Sequence, residues 1–195
     1  MDQRTIRNLL LVGSLVCSVN AFASGPNANM LSRSCAGCHG IDGSSAGPAS
    51  PTIAGMSEDY FQESMEKLRN GERSSTVMGR IAKGYTEDEI EAMAAWFSKR
   101  AFTPARQETD AAKAAKGRKL HEKFCEACHE EGGRLDEETG ILAGQWMPYL
   151  RYTISDFLSG ASESPKKMRK RLDVLVKEHG DDGVEAVVQY YGSQQ

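Results

Sequence analysis

Cys35-Ala36-Gly37-Cys38-His39 and Cys125-Glu126-Ala127-Cys128-His129 are the two stretches on which the reading of this chain turns. Each is a C-x-x-C-H run. Four cysteines could make a disulfide framework, and C-x-x-C pairs can hold zinc. Both alternatives fail on spacing, because each pair runs directly into a histidine and the two runs lie 90 residues apart. The pattern that remains is c-type haem attachment. Two thiols add to the two vinyl groups on one edge of the macrocycle, and the adjacent His then lies under the ring and offers a nitrogen to iron. The expectation is two covalently bound haem c groups, one on Cys35 and Cys38 with His39 as metal ligand, the other on Cys125 and Cys128 with His129.

Outward from these runs the chain repeats itself. Ala54-Gly55, Tyr60 and Gly71 recur as Ala143-Gly144, Tyr149 and Gly160 at an offset of 89, and Met78 recurs as Met168 at an offset of 90. His39 to Met78 and His129 to Met168 both span 39 residues. This shared spacing selects Met78 and Met168 as sixth ligands. Met65 and Met93 fall inside helical patterns and are expected in the core; Met56 and Met147 do not occupy equivalent places. A thioether favours ferrous iron and closes the sixth position, which suits electron transfer rather than chemistry at an open iron.

The first 23 residues read as an export signal: Arg4 and Arg7, an apolar Leu9-to-Val19 core too short to span a bilayer, and an Ala21-Phe22-Ala23 cleavage pattern. The expected location is the periplasm, with no membrane span in the mature chain. Removing Asp2, Arg4 and Arg7 leaves 22 basic and 26 acidic residues. Haem propionates would add further negative charge, so nucleic acid is excluded as a partner. Cys17 leaves with the signal, so that every remaining cysteine belongs to a haem run.

The spacing of apolar residues predicts helices and no strands. Thr86-Glu87-Asp88-Glu89 reads as a capping box, followed by Ile90, Met93 and Phe97 on one face. Val184, Val187, Val188 and Tyr191 repeat that face near the end of the chain. Further helices are expected from Asp59 to Asn70 and from Ala111 to Phe124, with a linker from Arg100 to Thr109. The fold class is therefore all-α: two tandem domains, residues 24–103 and 104–195 after the 1–23 signal. Each is small enough that haem must complete its core.

At this point each half resembles a class I cytochrome c. Pro51-Thr-Ile-Ala-Gly55 is similar to that family's P-x-L-x-G segment, and the resemblance implies that the Pro51 carbonyl accepts the other ring N–H of His39. Gly140-Ile-Leu-Ala-Gly144 has Gly where Pro is expected, which puts the equivalent bond to His129 in doubt. Gly117 matches the small residue at which the family's first and last helices cross. His121 is expected to pack in the core, and His179, in His179-Gly-Asp-Asp182, to lie in an exposed polar turn.

The whole arrangement resembles two families of di-haem cytochromes: the free periplasmic c4 type, which feeds terminal oxidases, and the cytochrome subunit of flavocytochrome c sulfide dehydrogenase. Ser75-Thr-Val-Met-Gly-Arg-Ile-Ala-Lys-Gly-Tyr85, Gly140-Ile-Leu-Ala-Gly-Gln-Trp-Met-Pro-Tyr-Leu-Arg-Tyr152 and Lys166-Lys-Met168 are similar to the second. That resemblance implies a heterodimer with a flavoprotein subunit and a soluble one-electron acceptor such as a cytochrome c. The FAD is expected on the partner alone, since this chain has no G-x-G-x-x-G between strand and helix. No catalytic residue is expected here. Two surface features stay open: the run Lys166, Lys167, Arg169, Lys170 and Arg171 is a docking edge or a solvated helix face, and Trp146, Met147, Pro148, Tyr149 and Tyr152 form a partner patch or a cover for the second haem.

Overall fold

The computed structural model describes residues 27–135 and 139–195. The expected signal at 1–23 lies outside them. Among the described residues the elements are α1 (Ala28–Arg33), α2 (Ala36–His39), α3 (Glu58–Asn70), α4 (Met78–Ala82), α5 (Glu87–Phe97), α6 (Ala111–Phe124), α7 (Glu130–Gly133), α8 (Met147–Ser159) and α9 (Lys166–Gly192), with no strand.

Local chemistry accounts for the ends of these helices. The Ser57 hydroxyl accepts the Tyr60 N–H at the start of α3, and Gly71 closes it in the left-handed conformation. Thr86 and Glu89 form the reciprocal capping box of α5. The Asp110 carboxylate accepts the Ala112 and Lys113 N–H groups and opens α6. α9 consists of two helical stretches that meet at Gly180, whose dihedrals are not helical (φ 62°, ψ −162°). His179 ends the first stretch, at this break. It is partly buried, its ring edge-on to Phe124 at 6.0 Å.

The apolar faces collect into two separate clusters. Ile53, Phe61, Met65, Leu68, Ile90, Met93 and Phe97 form the first. Leu120, Phe124, Leu150, Leu172, Leu175, Val187, Val188 and Tyr191 form the second. Met65 and Met93 are buried in the first, as their helical register requires. In the second cluster α6 lies against α9. They touch at Gly117, where an added Cβ would stand 1.9 Å from the Ala186 carbonyl oxygen.

The repeat is visible in the backbone. Ile53 and Ala54 both donate to the Gly43 carbonyl, and Gly55 donates to Phe97 at the end of α5. Leu142 and Ala143 both donate to the Gly133 carbonyl, and Gly144 donates to Tyr191 near the end of α9. Gly43 and Gly133 have φ of 93° and 87°, and a Cβ on either would meet the ring of Phe97 or Tyr191 at 2.8 Å. Only glycine serves there, both for its dihedral and for the ring stacked against it.

The segment 101–110 is extended and held against the second half rather than hanging free. Ala105 N–H donates to the Gly144 carbonyl at 2.7 Å, and the Gln107 amide bridges the Gln145 carbonyl (2.8 Å) and the Met147 N–H (3.0 Å). Gln145, 3 % exposed, reaches back across the chain: its Oε1 accepts the Thr52 N–H at 2.9 Å and its Nε2 donates to the Thr52 carbonyl at 3.0 Å. The Trp146 ring covers Gly47, where a Cβ would stand 2.3 Å away, and its Nε1 donates to the Ser45 carbonyl. Trp146 is thus spent on the contact between the halves. Met147 is buried, and of the open aromatic patch only Tyr152 is well exposed, at 62 %.

Two substitutions follow. Gly117→Val forces α6 from α9 and should destabilise the second half by about 3 kcal/mol, read as a lower denaturant midpoint. Gln145→Leu leaves a buried N–H and a buried carbonyl of Thr52 without partners and should cost about 2–5 kcal/mol. Differential scanning calorimetry of the two variants compares them directly.

Candidate haem centres

α1 and α2 deliver the first C-x-x-C-H run, and α6 delivers the second. Cys35 and Cys125 are partly buried, while Cys38 and Cys128 are exposed, so each pair straddles the edge of its core. The Cys35 N-terminal turn places His39 inward: its N–H donates to Cys35 and its ring is buried. His39 Nδ1 lies 2.8 Å from the Pro51 carbonyl, as the resemblance implied. That contact makes Nδ1 the donor and leaves Nε2 with its lone pair free.

The second imidazole differs. His129 Nδ1 is buried and meets no hydrogen-bond partner in the protein. Gly140, at the place of Pro51, has φ of 72°, which proline cannot adopt. The cause lies in the other half of the chain, because a Cβ on Gly140 would stand 2.6 Å from the Tyr60 ring. Burial, with the nearby His121 adding to it, pushes the His129 imidazole down to about 4. Burial also lowers His39, against the opposing effect of its bond to Pro51. Both rings are neutral at neutral pH and able to act as metal ligands. The Cys125 thiol is pushed up to about 11, chiefly by burial, and Cys35 rises for the same reason.

The structure gathers Cys125, Cys128, His129 and Met168 around one cavity of about 1340 Å³. Its walls include Leu142, Leu150, Phe157, Leu172, Leu175 and Val187. The donor set is two thiols, an imidazole and a thioether in an apolar enclosure larger than ordinary small-molecule sites. This fits haem c: a flat apolar macrocycle with thiols at one edge and soft or borderline donors for iron. In the first half, Cys35 and Met78 both pack on the apolar cluster that contains Phe61 and Phe97, and Met56 packs there as well.

His121 packs, as the resemblance implied. It is 1 % exposed, with Nδ1 2.9 Å from the Tyr191 hydroxyl and Nε2 against the Glu126 carboxylate. The basic run opens α9. Arg169 is tied to the Phe157 carbonyl (2.6 Å) and to Asp173 (2.9 Å), while Lys166, Lys167, Lys170 and Arg171 are exposed at the cavity rim. Four participants were missed in the sequence: Gly43, Gly133, Gln145 and Arg73. The Gly43–Gly133 pair, 90 residues apart like the haem cysteines, was there to be found. Nothing in the local sequence of Gln145 or Arg73 announces a contact across the halves.

A cytochrome c family model matches residues 28–100. The cytochrome subunit of sulfide dehydrogenase from Chlorobaculum tepidum is 45% identical over 96 residues, 43% of this chain and 86% of that protein. The thiosulfate dehydrogenase electron acceptor of Stutzerimonas stutzeri is 28% identical over 180 residues, covering 85% of this chain and 81% of the relative. Among solved structures, reduced cytochrome c4 from Pseudomonas stutzeri superposes with a TM-score of 0.75 at 22% identity, over 88% of this chain and all of that one. Matched residues, repeated backbone contacts and superposition agree: the chain belongs to the cytochrome c family, an electron-transfer cytochrome with the two-part fold of cytochrome c4.

Proposed function

We propose that this chain is the di-haem electron-transfer subunit of a periplasmic sulfide-oxidising flavocytochrome. Cys35 and Cys38 hold one haem c and Cys125 and Cys128 the other. His39 and His129 give Nε2 to iron from one side, and Met78 and Met168 give sulfur from the other. A signal at 1–23 precedes two domains, 24–103 and 104–195, joined through the docked segment 101–110. When bound, each haem supplies a one-electron couple; the protein supplies its placement, its potential and a docking surface.

The observation that carries this reading is the gathering of Cys125, Cys128, His129 and Met168 around one apolar cavity, with the same residue types at the same spacing in the first half. The sulfide assignment rests on the 45% identity to a sulfide dehydrogenase cytochrome subunit and on the resemblance in residues 75–85 and 140–152. Sulfide oxidation to sulfur releases two electrons, and a two-haem subunit can take both from a reduced flavin and pass them singly to a soluble acceptor.

A second reading has its own support. The sulfide dehydrogenase relative aligns with 43% of this chain, whereas the thiosulfate dehydrogenase electron acceptor aligns with 85%. On that reading the chain is a free di-haem cytochrome that delivers electrons to a terminal oxidase.

Intact mass spectrometry of the exported protein should show a chain starting at Ser24 plus two haem masses. The weak near-infrared band of ferric Met–iron ligation should fall by about half in Met78→Ala and again in Met168→Ala, since each removes one of two soft ligands. Loss of the band in Met147→Ala but not in Met168→Ala would reject the assignment in the second half.

Rapid mixing separates the two functions. Sulfide alone should reduce the isolated cytochrome slowly, and addition of the flavoprotein should accelerate haem reduction greatly. A native protein that purifies without flavin, and whose reduction no flavoprotein accelerates, is the free shuttle.

A further inference from the structure

Arg73 lies just beyond the C-terminal end of α3, in the first half, yet its guanidinium is committed to the second. Nη2 donates to the Tyr149 hydroxyl at 2.9 Å and Nη1 to the Ser64 hydroxyl at 3.1 Å. The Tyr60 hydroxyl is also bonded to it. Tyr60 and Tyr149 are the repeat-equivalent residues of the two halves, so one cation is clasped by both copies of the same side chain.

Every group that holds Arg73 is a neutral hydroxyl. Among the described residues no carboxylate stands at ion-pair distance from it, although Lys67 on α3 is paired with Glu63 and Arg151 with Glu185. A partly buried guanidinium without an anion is incompletely compensated. It is also a rigid fork of donors suited to a carboxylate. Arg73, Tyr60 and Tyr149 all line the cavity of Cys125, Cys128, His129 and Met168. The cations of α9 at the same cavity are exposed and free to turn into solvent, whereas Arg73 is held in place by its hydroxyl partners.

We propose that Arg73 binds a propionate carboxylate of the second haem from across the boundary between the halves, positioned for it by Tyr149 and Tyr60. The proposal rests on the reading that Cys125 and Cys128 hold a haem. Arg73 is a positioning residue: it donates to the carboxylate and places a fixed positive charge in the second pocket. That charge favours the less positive, ferrous state and raises the potential of the second haem alone.

The test is a spectroelectrochemical titration of the purified holoprotein, after intact mass has established two haems in each variant. Arg73→Met should lower the reduction equilibrium constant of one haem by about tenfold, a shift of 59 mV for one electron, and leave the other where it was. Arg73→Lys should restore most of the shift, because the charge returns without the fork. Tyr149→Phe, which keeps both ring and charge, should move the same haem by less and in the same direction, and should displace the propionate bending band in resonance Raman spectra. Unmoved potentials in two-haem Arg73→Met would overturn the proposal and leave Arg73 as a cross-link between the halves. If Arg73→Met does not accumulate, an undisplaced propionate band in Tyr149→Phe overturns it instead. A wild-type protein carrying a single haem removes the two-haem reading itself, which is a different result from unmoved potentials.

Discussion

Gly117 lets the backbone of α9 come so close to α6 that the Ala186 carbonyl occupies the space of a side chain. The rest of the second half depends on that approach. α6 runs directly into Cys125, so the crossing fixes where the haem-binding run leaves the helix. The same α9 carries Met168 at its start and Tyr191 near its end, and Tyr191 accepts the Gly144 N–H while its ring closes on Gly133. One close helix contact therefore sets both the thiol and imidazole side and the thioether side of the cavity. Bidentate pairing of Arg151 with Glu185, at 2.8 and 2.7 Å, ties α8 to the same helix. The carboxyl of Glu185 is held below its usual range by that hydrogen bond, though a half-exposed pair adds little stability.

The two halves share a frame but not an environment. Gly43 and Gly133 accept matching pairs of N–H groups, and Gly55 and Gly144 donate to matching helix ends. Within that frame, Pro51 supplies a carbonyl to His39, while Gly140 has given way to the Tyr60 ring and leaves His129 Nδ1 without a partner. An imidazole that donates to a carbonyl is the more basic ligand. The departure from the proline pattern accompanies the packing of one half on the other, and it leaves the two imidazoles with different hydrogen bonding.

Much of this was legible in the sequence. The cap at Thr86 and the helical spacing of Ile90, Met93 and Phe97 mark a helix through chemistry that is local. The core places of Met65 and Met93 follow from register, and the core place of His121 and the close approach at Gly117 from a family resemblance. What escaped reading is non-local. Trp146, open in the sequence between a partner patch and a cover for the second haem, is instead folded onto Gly47, because no periodicity records which loop it faces. The turn read at His179 from the glycine and two aspartates that follow it is present as the break at Gly180, but the ring is partly buried against Phe124 rather than exposed.

The halves meet through directional contacts rather than through a shared core. Their apolar clusters remain separate, so each half closes its own core. They are joined instead by directional bonds: Gln145 to both polar groups of Thr52, Trp146 to Ser45, Ser162 to Ser74 and Tyr149 to Arg73. An apolar interface tolerates sliding, because burial is non-directional. A set of buried and part-buried hydrogen bonds does not, since a displacement of about 1 Å breaks them and leaves polar groups unpaired. The two C-x-x-C-H runs are held at a fixed separation by bonds that are satisfied in one register only. The same bonds start from residues close to the haem runs: Thr52 follows the carbonyl that orients His39, and Tyr149 lines the cavity of His129. The geometry between the halves and the geometry around each imidazole are therefore one mechanical unit.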